Sequence, residues 1–278
     1  MAVTISVYSR KGGIGKTTSC VNIGADLAVF EKRVLLIDAD SQSHTTFMLF
    51  GNNEDFYPDG DYNAKSLYDF KDVIEKEIPV KDAIYSFTFK GHKSHKKESR
   101  IYSMDVIPGS KMLNEISVSS FQVIKETLKD IQDDYDYILI DCPPTWDIMT
   151  AAALTASDYV IVPIQSNDQF SLDGYGQTLD HINQLIESGE NKNLEVLGVF
   201  LTKTKPYRKA HQKFISDIQA VSAEIRLFET GIRESEQPVI NSIESNRPLC
   251  DISYSSAAAE TYYSLAREID ERVSSKKR

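Results

Sequence analysis

The chain has 278 residues, 41% of them hydrophobic, which is enough apolar material for one sizeable core with insertions. No run of 18 apolar residues occurs, which excludes an obvious membrane-spanning helix, and the first residues run straight into Val3–Tyr8 without the pattern of a secretion signal. A formal net charge of −10 makes the average surface repel DNA, so any nucleic-acid role requires a local basic patch.

In chain order, the expected strands are Val3–Tyr8, Arg33–Ile37, Met104–Ile107, Tyr137–Ile140, Tyr159–Pro163 and Val196–Leu201. The expected helices are Thr17–Phe30, Phe121–Ile131, Ile148–Ala156, Leu172–Ser188, Tyr207–Ser222 and Ser255–Val273. Several strands are apolar on both faces, as in a covered parallel sheet. The alternation predicts a single α/β domain over residues 1–273: a doubly wound, mostly parallel sheet with helices on both faces and ligands at the carboxyl ends of the strands. Residues 51–103 read as an irregular insertion. Within it, Gly51–Gly60 reads as a loop, and Lys90–Arg100, polar and basic, as an exposed loop that could also be a DNA contact or a partner site. His92 and His95 lack acidic or cysteine neighbours that would complete a metal site. Ser274–Arg278 reads as a disordered basic tail. Cys20, Cys142 and Cys250 are far apart and form no C-x-x-C pair, so they are expected to be reduced and structural, as in the cytoplasm.

Lys11-Gly12-Gly13-Ile14-Gly15-Lys16-Thr17-Thr18 follows the first strand and opens the first helix, the context a phosphate loop requires. Glycines let backbone N–H groups approach phosphate oxygens, and the helix N-terminus adds partial positive charge. In such a loop Lys16 reaches the β- and γ-phosphates of ATP and the Thr17 hydroxyl holds Mg²⁺. The ordinary Walker pattern has glycine where this chain has Arg10, and carries no counterpart of Lys11. Val34–Asp38 ends a strand and is followed by Asp40, which places two carboxylates at one strand terminus. Tyr137–Asp141, an apolar strand ending in aspartate, looks like a Walker B segment in which Asp141 binds Mg²⁺ through water.

The Lys-Gly-Gly-x-Gly-Lys-Thr-Thr string resembles the signature of the ParA/MinD superfamily of deviant Walker A P-loop ATPases. The resemblance implies that Lys11 crosses an interface to the partner's ATP in a sandwich homodimer. It also implies that Asp40 orients the attacking water and that Asp38 supports the Mg²⁺ or its water shell. Ser41 stands where that family usually has proline. Further along, Asp105–Gly109, Pro163–Gln165, Ser171–Gly174, Gly198–Thr202, Ile232–Pro238 and Ala257–Tyr262 resemble ParA segments, and Pro143-Pro144 resembles the family's switch-like turn. The match is closest to the shorter, Soj-like branch, without an N-terminal helix-turn-helix domain. No arginine finger is evident, which leads to an expected slow basal hydrolysis raised by a partner.

Lys203–Lys213 brings together Lys203, Lys205, Arg208, Lys209 and Lys213 at one strand end and helix start. By the ParA resemblance, Arg208, Lys209 and Lys213 together with Arg233 contact phosphates of nonspecific double-stranded DNA, giving salt-sensitive binding. The implied partner is a ParB-like centromere-binding protein and the implied location is the nucleoid. A related reading keeps this chemistry but positions another cargo or controls mobile-element replication. A MinD-like membrane cycle requires bulky apolar residues in a terminal amphipathic helix, and Glu268–Arg278 has no Phe, Leu or Trp to insert. Iron–sulfur carriers share the deviant loop but require placed cysteines, and Cys142 is expected to pack.

Overall fold

The computed structural model describes residues 1–51, 67–92, 98–116, 118, 120–166, 168–221 and 225–276. The elements run β1 (Val3–Val7), α1 (Lys16–Val29), β2 (Val34–Asp38), α2 (His44–Phe50), α3 (Phe70–Ile74), β3 (Tyr85–His92), β4 (Ser99–Ile107), α4 (Val123–Leu128) and β5 (Tyr137–Asp141). They continue with α5 (Ile148–Ala156), β6 (Tyr159–Gln165), α6 (Gln169–Ser188), β7 (Glu195–Thr202), α7 (Lys209–Val221), α8 (Glu236–Glu244), α9 (Leu249–Ile252) and α10 (Ala257–Lys276). Among the described residues the strands form one sheet in the order β3-β4-β2-β5-β1-β6-β7, parallel except for β3.

Successive strand residues face opposite sides, and both sides are apolar. Leu35, Ile37, Ile138 and Ile140 pack with Ala151–Leu154 of α5 and Ile182 of α6. Val34, Leu36 and Leu139 pack with Ile23 and Leu27 of α1 and Leu265 and Ile269 of α10. The chain steps from β1 toward β2 in one direction and from β5 toward β6 in the other. Right-handed crossovers in opposite directions place their helices on opposite faces, which is why α1 and α5 lie in different cores. Gly24 permits the close seat of α1, since a Cβ there would lie 2.7 Å from Leu36 Cδ2.

The register puts the functional ends side by side. Val7 pairs with Asp141, and Asp141 with Asp38, so the exits of β1, β5 and β2 form one row.

Two expectations are corrected. Lys90–His92 and Ser99–Arg100 are not loop: they are the inner ends of an antiparallel hairpin in which Tyr85 pairs with Val106 and His92 with Ser99. Phe87, Phe89 and Gly91 alternate inward between polar residues, and that period-two pattern outweighs the basic composition. Lys93–Lys97, like Asn52–Gly60 of the expected loop at Gly51–Gly60, lies outside the described residues. Much of the supposed irregular insertion is therefore ordered by α3 and this hairpin. The tail is also corrected: Ser274–Lys276 complete α10. Lys276 pairs with Glu195 and lies 4.9 Å from the centre of the Tyr159 ring, which holds the last turn to the sheet.

Candidate nucleotide site

The loop after β1 is shaped by its backbone. Gly13 and Gly15 have φ of 72° and 89°, a left-handed region that side chains other than glycine rarely adopt. A Cβ on Gly12, Gly13 or Gly15 would meet nothing within 4 Å, so these glycines leave an open cradle and are not demanded by packing. Ile14 is buried and pins the crest of the loop. Gly15 caps α1 without a side chain, so the first-turn N–H groups point at the cradle with no internal cap. Thr17 and Thr18 follow, both half-buried.

Lys16 folds into the loop, and its ammonium donates to the Lys11 carbonyl at 2.9 Å. Burial lowers its pKa, and the Asp141 and Asp40 carboxylates oppose that shift. Lys11 instead pairs its ammonium with Asp168, just ahead of α6, and its Cβ packs near Gly174 of that helix. Arg10, where an ordinary Walker loop has glycine, donates to the Pro144 carbonyl at 2.9 Å and so joins the loop to the diproline turn. Two residues on, Trp146 stacks on His181 at 4.2 Å, and His181 shares a 2.8 Å hydrogen bond with the buried Tyr8.

The acidic row is buried. Asp38 accepts from the Thr46 backbone N–H at 2.8 Å and its hydroxyl at 2.7 Å. Gly109 donates to the same hydroxyl at 2.7 Å, and a Cβ on Gly109 would lie 2.8 Å from the Asp38 carboxyl carbon. Burial raises the pKa of Asp38, and the neighbouring Asp141 adds to the shift. Asp141 accepts from the Thr45 hydroxyl at 2.8 Å through one oxygen, while the other is buried without a hydrogen-bond partner. Its pKa is also raised, by burial first, with the Thr17 and Thr45 hydroxyls and Lys16 pulling it down. Asp40 is 7% exposed, and one of its oxygens accepts from the Gln42 N–H at 2.9 Å.

Among the described residues no group of three His, Cys, Asp or Glu side chains is arranged to hold a metal ion by itself. Mg²⁺ nevertheless fits. Thr17 offers a hydroxyl at the mouth of the cradle, and the orphaned Asp141 oxygen suits a metal-bound water. In this arrangement the metal depends on nucleotide oxygens for the rest of its shell.

The structure thus brings Lys16, Thr17, Asp38, Asp40 and Asp141 to one place. It does not gather the basic residues in the same way. Arg208, Lys209 and Lys213 are exposed, and His211 on the buried side of α7 bonds Ser166 at 2.7 Å. Lys205 pairs with Glu234, and Lys203 turns to the phosphate loop, so two of the expected basic cluster are committed elsewhere. Arg233 is half-buried, lining a cavity of about 220 Å³ with Asp26, His92, Tyr254 and Arg267. Sequence reasoning missed Thr45 and Thr46 as the groups that hold the acidic row. The signal was present as a Ser/Thr-rich helix start directly after Asp40. It also missed Asp168, for which no local pattern exists. The three cysteines are buried and free, as expected.

Comparisons with known proteins assign the chain to a family. The AAA domain family matches residues 2–196. The sporulation initiation inhibitor protein Soj of Bacillus subtilis is 30% identical over 97% of this chain and 98% of its own length. The chromosome partitioning protein ParA of Caulobacter vibrioides is 30% identical over 96% and 94%. A cobyrinic acid a,c-diamide synthase from Mycobacterium smegmatis, crystallised with an ATP analogue and magnesium, shares the fold with a TM-score of 0.76 at 24% identity, covering 99% of this chain and 97% of that one. A synthase on the same fold shows that architecture alone does not assign the activity. The full-length match to Soj and ParA, on a chain whose phosphate loop carries both lysines, makes this protein a member of the ParA/Soj-like family of partition P-loop ATPases.

Proposed function

We propose that the protein is a DNA-partition switch in which two copies sandwich two ATP molecules, bind nonspecific DNA as a dimer and let go after hydrolysis. The observation that carries this reading is the division of labour between the two loop lysines. Lys16 occupies its own cradle, whereas the Lys11 ammonium sits with Asp168 ahead of α6. Lys16 then neutralises the phosphates bound in its own subunit, and Lys11 exchanges Asp168 for the partner's ATP on dimerisation.

ATP and Mg²⁺ are the proposed cofactors. Bound Mg²⁺ supplies charge neutralisation between the phosphates. Gly12, Gly13 and Gly15 admit the phosphates, with N–H groups of the loop and of the α1 N-terminus aimed at them. Thr17 and Asp141 would hold the metal, and Asp38, fixed by Thr46 and paired in register with Asp141, would support its water shell. Asp40, with one oxygen held by the Gln42 N–H, keeps the other for a water in line with the terminal phosphate. Basal turnover in this reading is slow and is raised by a ParB-like partner.

Arg208, Lys209 and Lys213 offer an exposed basic start to α7, and a dimer doubles it. DNA affinity then depends on ATP through dimerisation. The place of action is the cytoplasmic nucleoid; among the described residues no helix is long and apolar enough to cross a membrane.

The test combines mass measurement with DNA retention in ATP, ADP or no nucleotide, across salt. A dimer and DNA binding with ATP alone are expected. A protein that stays monomeric at saturating Mg-ATP, with hydrolysis blocked, overturns the sandwich.

A further inference from the structure

The last residues of β7 connect the phosphate loop to Arg233. Lys203 lies just beyond β7 and has φ of 52°, a left-handed conformation that a lysine adopts only when its surroundings impose it. Its ammonium donates to the Gly13 carbonyl at 3.3 Å and to Gln165 Oε1 at 3.1 Å. Both acceptors are neutral, and among the described residues Lys203 has no carboxylate partner. A cationic side chain therefore rests on the rim of an anion cradle, held by uncharged oxygens. A phosphate chain in that cradle offers it a stronger, charge-assisted bond.

The next residue is locked to the candidate DNA contact. The Thr204 N–H donates to the Ile232 carbonyl at 2.8 Å, and the Glu234 N–H donates to the Thr204 carbonyl at 3.1 Å, which brackets Arg233 on both sides. Lys205 then pairs with Glu234, and the Arg233 N–H donates to the Thr261 hydroxyl at 3.2 Å. A change of backbone at Lys203 must therefore move the Ile232–Glu234 segment or break these bonds.

We propose that Lys203 is a positioning residue that senses the phosphates in its own subunit and transmits their presence through Thr204 to Arg233. The proposal rests on the DNA-partition reading for its outcome at DNA, but the sensing step stands apart from it. Bond exchange from Gly13 to phosphate supplies the differential interaction that a ligand-driven shift requires.

The experiment compares wild type, Lys203→Met and Lys203→Arg, each without nucleotide and at saturating Mg-ATP, so that nucleotide affinity does not enter. Hydrogen exchange at the Thr204 and Glu234 amides, the donors of the two bracketing bonds, is read with and without ATP, and DNA retention is read as the ratio of ATP to no nucleotide. ATP is expected to change exchange at these amides in wild type and in Lys203→Arg but not in Lys203→Met. The DNA ratio is expected to fall about tenfold in Lys203→Met, within the usual range of coupling between sites, and to recover in Lys203→Arg. An equal exchange response in wild type and Lys203→Met overturns the proposal. A wild type whose amides respond to ATP but which never retains DNA leaves the sensor standing and overturns the DNA reading instead.

Discussion

The phosphate site and the basic region beyond β7 are built on opposite terms. At the carboxyl ends of β1, β5 and β2, Lys16, Asp38, Asp40 and Asp141 are all buried. Asp38 is 0% exposed, and Thr46 and Gly109 close around it. At the start of α7, Arg208, Lys209 and Lys213 stand in solvent, with their helix anchored from beneath by His211. Chemistry on phosphates needs preorganised, water-poor geometry, so its residues are over-determined by the fold. A nonspecific DNA contact needs charge at the surface and tolerates loose geometry. Arg233 falls between these cases: it is an expected DNA residue that is half-buried in a polar cavity.

Substitutions at the two regions should therefore fail differently. The largest effect is expected for Lys16→Ala, which should weaken nucleotide binding by about a hundredfold, the scale of losing a charge-assisted contact in a low-dielectric site. Calorimetric titration with Mg-ATP measures this, and near-normal affinity would remove Lys16 from the cradle. Asp40→Ala comes next. It should leave ATP binding in place but slow hydrolysis on the order of a hundredfold and trap an ATP dimer on DNA. Normal turnover in that variant would assign the water to another group.

Arg233→Ala should act only on the second region, lowering DNA retention and cutting the salt slope by about 0.9 per subunit if one phosphate contact is lost. An unchanged slope accompanied by a lower melting temperature would instead make Arg233 a packing residue of its cavity. The smallest effect is expected beside that cavity. Asp26 is 2% exposed, and one of its oxygens has no hydrogen-bond partner. Burial raises its pKa well above the ordinary 3.8. Its contribution to stability is therefore complete below that value and is lost as pH rises toward the folded pKa. Asp26→Asn should raise stability at pH 7 by about 1 kcal/mol and flatten the acid-side pH dependence, as followed by urea unfolding. A variant less stable than wild type at pH 7 would mean that the carboxylate has a partner in solution.

The legible parts of the sequence were those where chemistry and local pattern coincide. The parallel strands could be read because most are apolar on both faces, and β2 and β5 end in aspartate. The hairpin of β3 and β4 was obscured because its basic residues cluster at the turn-side ends of the strands and mask the period-two alternation. The end of α10 was obscured because Lys276 is held by Glu195 and Tyr159, residues far away in sequence. The short helices α2, α3, α8 and α9 were also missed. Tertiary packing, not a long periodic pattern, sustains elements of this size.

By itself, the sequence determined the identity of the chemical groups: a glycine loop with two lysines, a threonine at the start of the first helix, and three aspartates at or just beyond strand ends. Those follow from residue type and spacing within each strand and the loop after it, where neighbours in sequence are neighbours in space. Only the tertiary structure decided which partner each group takes. Lys11 sits on Asp168, Arg10 on Pro144 and Lys203 on Gly13, and each pair joins segments brought together by sheet order and crossover direction. Such pairings depend on the three-dimensional closure of the sheet, a long-range property that no local window of sequence contains.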